Sequence, residues 1–371
     1  MRQPIYLDYN ASAPLRPEAA ECIRALMGPA RNPSSIHSFG RNAKQIVEKA
    51  RTQLAELTYG DPNGFVFTSG GTEANNTALL GFEKVITCIT EHDAVLAARP
   101  DAEKIGVGAD GEINLVELET QIQKAKDGGG KIVVSVMLVN NETGRIQPIE
   151  KLLEICQVYK VVFHSDMVQA LGKIPIHLDK WSESGLSMAS FSAHKIGGPP
   201  GVGALWVTAG RQVTQLIKGG GQEKGRRSGT ENIYGIAGFG AAAKSVANWQ
   251  SHAKNWTEWR SNFVSKLQWA YPEIQVTTRD AQCVSNTISL LLPAIPAQIA
   301  VMSLDMEGFA ISSGAACSSG KVQDSHVIRA MGFGVQSSHV VRISFGWENT
   351  EDDISALADA IIALYKRFKE K

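Results

Sequence analysis

The sequence lacks any excess of charge of one sign. Its 371 residues carry 37 Lys+Arg against 37 Asp+Glu, so the electrostatic footprint expected of a nucleic-acid or anionic-membrane partner is missing. Long apolar runs are missing too. No stretch approaches a membrane span, and Met1-Arg2-Gln3-Pro4-Ile5-Tyr6-Leu7-Asp8 has no signal-peptide core. Cysteine is sparse. Cys22, Cys88, Cys156, Cys283 and Cys317 make no C-x-x-C pair and no tight Cys/His cluster, which argues against a disulfide framework, a zinc site or any other metal centre. Internal repeats and low-complexity tails are absent as well. These absences together predict a protein of the reducing cytoplasm, with neither membrane nor nucleic acid as partner.

What is present is enough apolar residue, 43%, and enough length for two globular domains. Apolar β-rich runs at Ile132 to Val139, Val161 to His164, Leu186 to Phe191 and Gly203 to Val207 alternate with helical patterns such as Ala43 to Leu57 and Ile149 to Tyr159. That alternation predicts an α/β fold with a mostly parallel, helix-covered sheet. A helical stretch around Tyr234 to Trp249 reads as the bridge to a smaller C-terminal α+β domain, joined by the N-terminal segment. Cys22, Cys88 and Cys156, set among apolar neighbours, read as small buried hydrophobes.

The most informative segment is Ser190-Phe191-Ser192-Ala193-His194-Lys195 running into Ile196-Gly197-Gly198-Pro199-Pro200-Gly201. It sets one lysine where a strand gives way to a tight loop, close to buried surface that lowers an amine pKa as Schiff-base lysines require. Alone, that lysine reads equally as a solvated strand-end residue. Its partners change the reading. Upstream, the apolar run Val161 to His164 ends in Asp166, with Gln169 three residues later. Strand C-termini of parallel sheets are where ligands sit. Pyridoxal phosphate needs a lysine and an anion facing its ring nitrogen, and Lys195 and Asp166 suit those two tasks, although Asp166 also suits a helix cap. In Thr68-Ser69-Gly70-Gly71-Thr72 a β-rich run meets a helical pattern, which reads as a phosphate cradle or as a plain capped turn.

Gly106-Val107-Gly108-Ala109-Asp110-Gly111 satisfies the G-x-G-x-x-G dinucleotide pattern, but Asp101 to Ile105 does not read as a buried strand and no acidic partner follows at the right distance. The P-loop pattern is absent. Gly130-Lys131, Gly172-Lys173 and Gly320-Lys321 lack the required Ser or Thr.

As an ordered set, the motifs resemble the pyridoxal-phosphate-dependent cysteine desulfurases of the NifS/IscS type, within aminotransferase class V. The set runs from Tyr6-Leu7-Asp8-Tyr9-Asn10-Ala11 and Asn32-Pro33-Ser34-Ser35-Ile36-His37 through Thr90-Glu91-His92 and Val139-Asn140-Asn141-Glu142-Thr143-Gly144. It continues with Gly219-Gly220-Gly221-Gln222-Glu223, Arg226-Arg227-Ser228-Gly229-Thr230-Glu231-Asn232, Ser312-Ser313-Gly314-Ala315-Ala316-Cys317 and Val341-Arg342-Ile343-Ser344. The resemblance implies fold type I, with a large cofactor-binding domain (15–248) around a mostly parallel seven-stranded sheet. It implies a small domain (1–14 plus 249–371) carrying a cysteine loop, and a homodimer. The glycine-rich, basic stretch Lys218 to Gly229 reads as a loop crossing the dimer interface or as a plain solvated loop.

By the same resemblance, His92 stacks on the cofactor ring, Asn141 and Gln169 bond its phenolic oxygen, and Asp166 pairs with its nitrogen. Gly71, Thr72, Ser192 and His194 hold the phosphate, joined by Thr230 from a second subunit. Arg342, with Asn32 and Arg227 as weaker candidates, holds the substrate carboxylate, a task that suits a bidentate guanidinium. Lys195 takes the Cα proton of L-cysteine. Cys317, in a loop rich in glycine and serine, attacks the substrate sulfur, leaving a persulfide and L-alanine. His92 or the substrate deprotonates the thiol. A scaffold or carrier protein, as in iron–sulfur assembly, then accepts the sulfur. Selenocysteine or cysteine sulfinate is the alternative substrate, and a non-catalytic assembly platform the alternative class. The chain departs from the family pattern at Ala11-Ser12-Ala13-Pro14, at Met167-Val168 and at Pro200, which bears on substrate preference and rate more than on reaction class.

Overall fold

The computed structural model describes residues 4–278, 281–314 and 324–370. A short strand, β1 (Ile5–Tyr6), comes first. β2 (Phe65–Thr68), β3 (Lys84–Cys88), β4 (Glu103–Ile105), β5 (Ile132–Ser135), β6 (Val162–Asp166), β7 (Leu186–Ser192) and β8 (Gly203–Val207) form one sheet in the order β2-β8-β7-β6-β5-β3-β4. Within it, β7, β6, β5, β3 and β4 pair in parallel, and β8 runs against both its neighbours. β5 and β7 are buried along their whole length, as expected of strands with helices on both faces.

The helices follow from apolar spacing and their ends. α1 (Pro17–Leu26) starts on a proline, and α2 (Ser38–Thr58) buries Ala43, Val47, Ala50, Leu54 and Ala55, a stripe at three- and four-residue spacing. His37 caps α2 by accepting the Gly40 N–H, and Tyr59 ends it in the left-handed region (φ 52°). α3 (Gly71–Leu79) follows β2 directly, α4 (Asp93–Leu96) follows β3, and α5 (Leu115–Asp127) and α6 (Ile149–Tyr159) cross between strands.

The later strands β9 (Gln275–Val276), β10 (Thr287–Leu291), β11 (Phe309–Ala310), β12 (Ser312–Ser313) and β13 (Val340–Ser344) build a second layer. β12-β13-β10-β9 is antiparallel, and β1 pairs in parallel with β11. Two large hydrophobic clusters result. One gathers residues between Ala19 and Val246, with Val284 added. The other joins Ile5 and Leu7 to Trp256, Phe263, Leu267 and the face of the helix Glu351–Lys369.

Four expectations are modified. The run 132–139 leaves regular strand after Ser135, although Val136 and Leu138 still bond the carbonyls of His164 and Asp166. The bridge is two helices, Ile233–Ser245 and Trp249–Ala270, broken by the 3-10 turn Val246–Asn248. Their apolar residues enter different clusters, so one straight stripe cannot serve both. Glu103 to Ile105 does form a strand, but at the sheet edge with Glu103 and Lys104 exposed and only Ile105 buried, so the glycine-rich turn follows an edge strand and not a buried central one. Cys22 is half-buried rather than buried, because α1 keeps one side toward solvent, while Cys88 and Cys156 are buried.

Candidate active site

The parallel strands β6 and β7 bring their C-terminal ends to one edge of the sheet, with Asp166 registered against Ser190. β7 passes straight into the 3-10 turn Ala193–Lys195. The chain reverses at Gly197 (φ +82°), where a Cβ would lie 2.6 Å from the Arg16 side chain and 2.7 Å from Trp347, so only glycine fits. This delivers Lys195 inward. Its Nζ donates to the main-chain carbonyls of Asn10 (2.7 Å) and Ala11 (2.9 Å). Burial, then the neighbouring Arg342 guanidinium, lower its pKa to about 8, with Asp8 and Asp166 pulling the other way. At pH 7 roughly one such amine in ten is free, against about one in a few thousand for an ordinary lysine.

Asp166 is gripped from both sides. Asn75 Nδ2 donates to its Oδ2 at 2.6 Å and the Val168 N–H to its Oδ1 at 2.9 Å. Asn75 comes from α3, one helical turn past Thr72. Beyond it lies Glu91, whose carboxyl is pushed well above the usual range by burial and then by Asp166. That shift disfavours a second negative charge beside Asp166. At the start of α3, Gly71 and Thr72 face Ser192 and His194 across the pocket. A Cβ on Gly71 would sit 2.9 Å from Val168 Cγ2 and 3.5 Å from Ser192 Cβ. Burial, then Lys195, lower the His194 imidazole to about 4, leaving it neutral, with Nδ1 3.3 Å from Ser12 Oγ.

The remaining walls come from loops and from the second layer. His92 caps α4, its Nδ1 accepting the Ala94 N–H at 3.0 Å. Arg342, on β13, donates to Asp8 Oδ1 (2.7 Å) and to the Asn141 carbonyl (3.1 Å), and its buried Nε has no partner. Gln169 Nε2 donates to the Asn10 carbonyl at 3.0 Å. Lys195, Asp166, His92, Asn141, Gln169 and Arg342 thus share one cavity of about 330 Å³ with the α3 cradle, a size that suits a small ligand.

Three anticipated residues lie elsewhere. Asn32 accepts the Ser34 N–H in its own turn. Arg227 pairs with Glu73 (2.9 Å), and with Thr230 lines a separate cavity of about 230 Å³. The loop that carries both is anchored by Glu223, whose buried carboxylate takes a bidentate pair from Arg51 (3.0 and 3.1 Å) and the Phe67 N–H. Cys317 lies outside the described residues, and Gly314, three positions earlier, lines the Lys195 cavity. Sequence reading passed over Asn10, Asn75, Glu91 and Lys173. Asn75 had a signal, since it lies three residues from Thr72 and hence on the same helix face. The partners of Asn10 and Lys173 are distant in the chain, and nothing local marks them.

A larger cavity, about 540 Å³, opens near the N-terminal ends of β5 and β6. Its lysines sit by helix C-termini, where Lys126 Nζ donates to the Tyr159 carbonyl, a role that helix ends alone explain.

A model of the family described as aminotransferase class V matches residues 5–357. A protein named cysteine desulfurase IscS from Dictyoglomus turgidum is 33% identical over 387 residues, covering 100% of this chain and 96% of that one. Among solved structures, a NifS-like protein from Rickettsia africae superposes with a TM-score of 0.90 at 33% identity, over 98% of this chain and 100% of that one. A protein called SspA, solved in complex with cysteine, has a TM-score of 0.77 at 28% identity over 92% and 98% of the two chains.

Proposed function

This chain belongs to the aminotransferase class V family, and we infer that it is a pyridoxal-phosphate-dependent cysteine desulfurase of fold type I, converting L-cysteine to L-alanine and a persulfide. The observation that carries the assignment of roles is the convergence of Lys195, Asp166, His92 and Arg342 on one cavity.

The donor set fits the cofactor. A lysine with a lowered pKa, a carboxylate held in place at its sides, and a glycine-tight helix start flanked by Ser192 and a neutral His194 match its carbonyl, ring nitrogen and phosphate in turn. In the proposed assignment Asp166 faces the ring nitrogen and His92 flanks the ring. Asn141 and Gln169 serve the phenolic oxygen, and Gly71, Thr72, Ser192 and His194 serve the phosphate. When bound, pyridoxal phosphate supplies an electron sink for a carbanion at the substrate Cα.

The protein's own groups do the rest. Arg342 binds the substrate carboxylate, which would occupy the partnerless Nε. The Lys195 amine takes the Cα proton and returns it. The Cys317 thiolate bonds to the substrate sulfur, the Cβ–S bond breaks with its electron pair left on carbon, and a proton completes L-alanine. The balance is one thiol and one L-cysteine in, one persulfide and one L-alanine out, so no external oxidant is required. We assign the loop bearing Cys317 to a small unit, 1–14 plus 249–371, on the strength of the second hydrophobic cluster. We also assign the chain to a homodimer, because Arg227 and Thr230 are built into a rigid loop that does not reach this chain's own Lys195. Asn32 remains a weaker candidate for the substrate carboxylate, and in this chain its side chain accepts the Ser34 N–H of its own turn. The sulfur passes to an acceptor or iron–sulfur scaffold protein. Among the described residues no helix is long and apolar enough to cross a membrane.

The test is to incubate the purified protein with L-cysteine, recording the visible spectrum and assaying alanine and sulfide for wild type and Cys317→Ser. A yellow protein that yields both products only with Cys317 is the expected outcome. Full activity of Cys317→Ser would overturn the role of that thiol, and a colourless protein after added pyridoxal phosphate would overturn the role of Lys195.

A further inference from the structure

A second lysine is buried beside the first, and no step above uses it. Gly172 (φ +70°), with Val246 and Ile196 packed 3.1 and 3.3 Å from where its Cβ would be, turns the chain so that Lys173 points inward. Its Nζ donates to Asn10 Oδ1 at 2.7 Å and to Gln169 Oε1 at 2.5 Å. These two bonds fix both carboxamides. With its oxygen held, Asn10 turns Nδ2 to the Asn141 carbonyl (3.1 Å) and to Thr287 Oγ1 (3.0 Å). Gln169 likewise turns Nε2 to the Asn10 carbonyl (3.0 Å), the same oxygen that receives Lys195 Nζ at 2.7 Å.

Burial, then Lys195 and Arg342, hold the Lys173 amine well below its ordinary pKa. Burial beside the Lys195 and Arg342 cations disfavours its charged form, and the two acceptors it meets match the two N–H donors that an uncharged amine keeps.

We propose that Lys173 is a positioning residue for Lys195, acting through Asn10 and Gln169 to keep their oxygens occupied and the Lys195 amine on the Asn10 and Ala11 carbonyls, where it can be released to substrate. The proposal rests on the role of Lys195 given above. Without Lys173, two buried carboxamide oxygens lack a donor, and Lys195, already bonded to the Asn10 carbonyl, is a donor that can turn to them. That would draw Lys195 deeper and favour its charged form. The charged groups that shift Lys195 are Arg342, Asp8 and Asp166, and removing Lys173 changes none of these three.

The experiment compares wild type with Lys173→Met and Lys173→Gln. In each cofactor-free protein, Lys195 is labelled by reductive methylation across pH 6.5 to 10 and quantified by peptide mass spectrometry. The wild-type midpoint should lie near 8. In Lys173→Met it should rise by about half a unit to one unit, as expected for one extra hydrogen bond to the charged form. Lys173→Gln, which keeps a donor, should fall between. With cofactor and L-cysteine, kcat of Lys173→Met should drop about ten-fold or more while KM stays within about two-fold. A folded Lys173→Met with the wild-type midpoint and kcat would overturn the proposal, as would failure of both variants to fold, which would make Lys173 a residue of stability alone. A wild type inert to L-cysteine would count against the desulfurase reading and leave the labelling comparison standing.

Discussion

The Arg51–Glu223 pair offers a quantitative test of how the loop carrying Arg227 and Thr230 is held. Side-chain exposure is 4% for Arg51 and 2% for Glu223, so neither charge is compensated by water. Arg51 gives both terminal nitrogens to the carboxylate and also donates to the Phe65 carbonyl at 2.5 Å. Arg51→Met would leave Glu223 buried with only the Phe67 N–H, and the expected cost is about 3–5 kcal/mol. Glu223→Gln should cost somewhat less, about 2–4 kcal/mol, because Glu48 still bonds the Arg51 Nε at 3.2 Å. The double variant Arg51→Met/Glu223→Gln strands no charge. It should be no worse than Arg51→Met alone, which corresponds to a coupling at least as large as the Glu223→Gln cost, about 2–4 kcal/mol. With an unfolding entropy of about 2.1 cal/mol/K per residue, a loss of 4 kcal/mol lowers the midpoint by about 5 °C when the whole chain melts together. Thermal unfolding followed by circular dichroism at pH 7 measures all four proteins. Additive single effects, or single variants within 1 °C (roughly 1 kcal/mol) of wild type, would refute the reasoning.

Two further outcomes follow from the site. His164 is buried between Ser135 Oγ and Ser190 Oγ, both at 2.9 Å, and burial lowers its pKa to about 3. The unfolded chain takes up that proton near pH 6.5, so the stability from a neutral His164 is complete above 6.5 and is lost as pH falls toward 3. Between pH 7.5 and 5, wild type should lose about 2 kcal/mol more than His164→Gln, and parallel pH profiles of the melting midpoint would exclude the effect. Gly71→Ala places a methyl 2.9 Å from Val168 Cγ2, displacing the cradle. Pyridoxal phosphate affinity, followed by absorbance titration, should weaken about ten-fold; unchanged affinity in a folded variant would remove Gly71 from the phosphate site.

The parts of the site that lie at strand ends were legible in the chain. Lys195 follows a run of small buried residues, Asp166 closes an apolar run, and Gly71-Thr72 joins a strand to a helix. Those are local patterns, and parallel strands carry their C-terminal residues to a common edge whatever the rest of the chain does. The helix Ile149–Tyr159 and the strand Gly203–Val207 fell where periodicity set them, for the same reason. The break between Ile233–Ser245 and Trp249–Ala270 did not, because both halves are helical by pattern and only the separation of two hydrophobic clusters demands the bend.

The sequence alone determined the reacting groups and the edge of the sheet on which they stand. Only the tertiary structure decided their state. The Lys195 amine sits near 8 because residues 10 and 11, 185 and 184 positions away in the chain, close over it, removing water, while Arg342 adds its charge. Lys173, Glu91 and Glu223 look like ordinary charged residues in the chain. Burial disfavours the charged forms of the first two and pairs the third with Arg51, and burial is a property of how distant segments pack, which no local pattern of residues encodes.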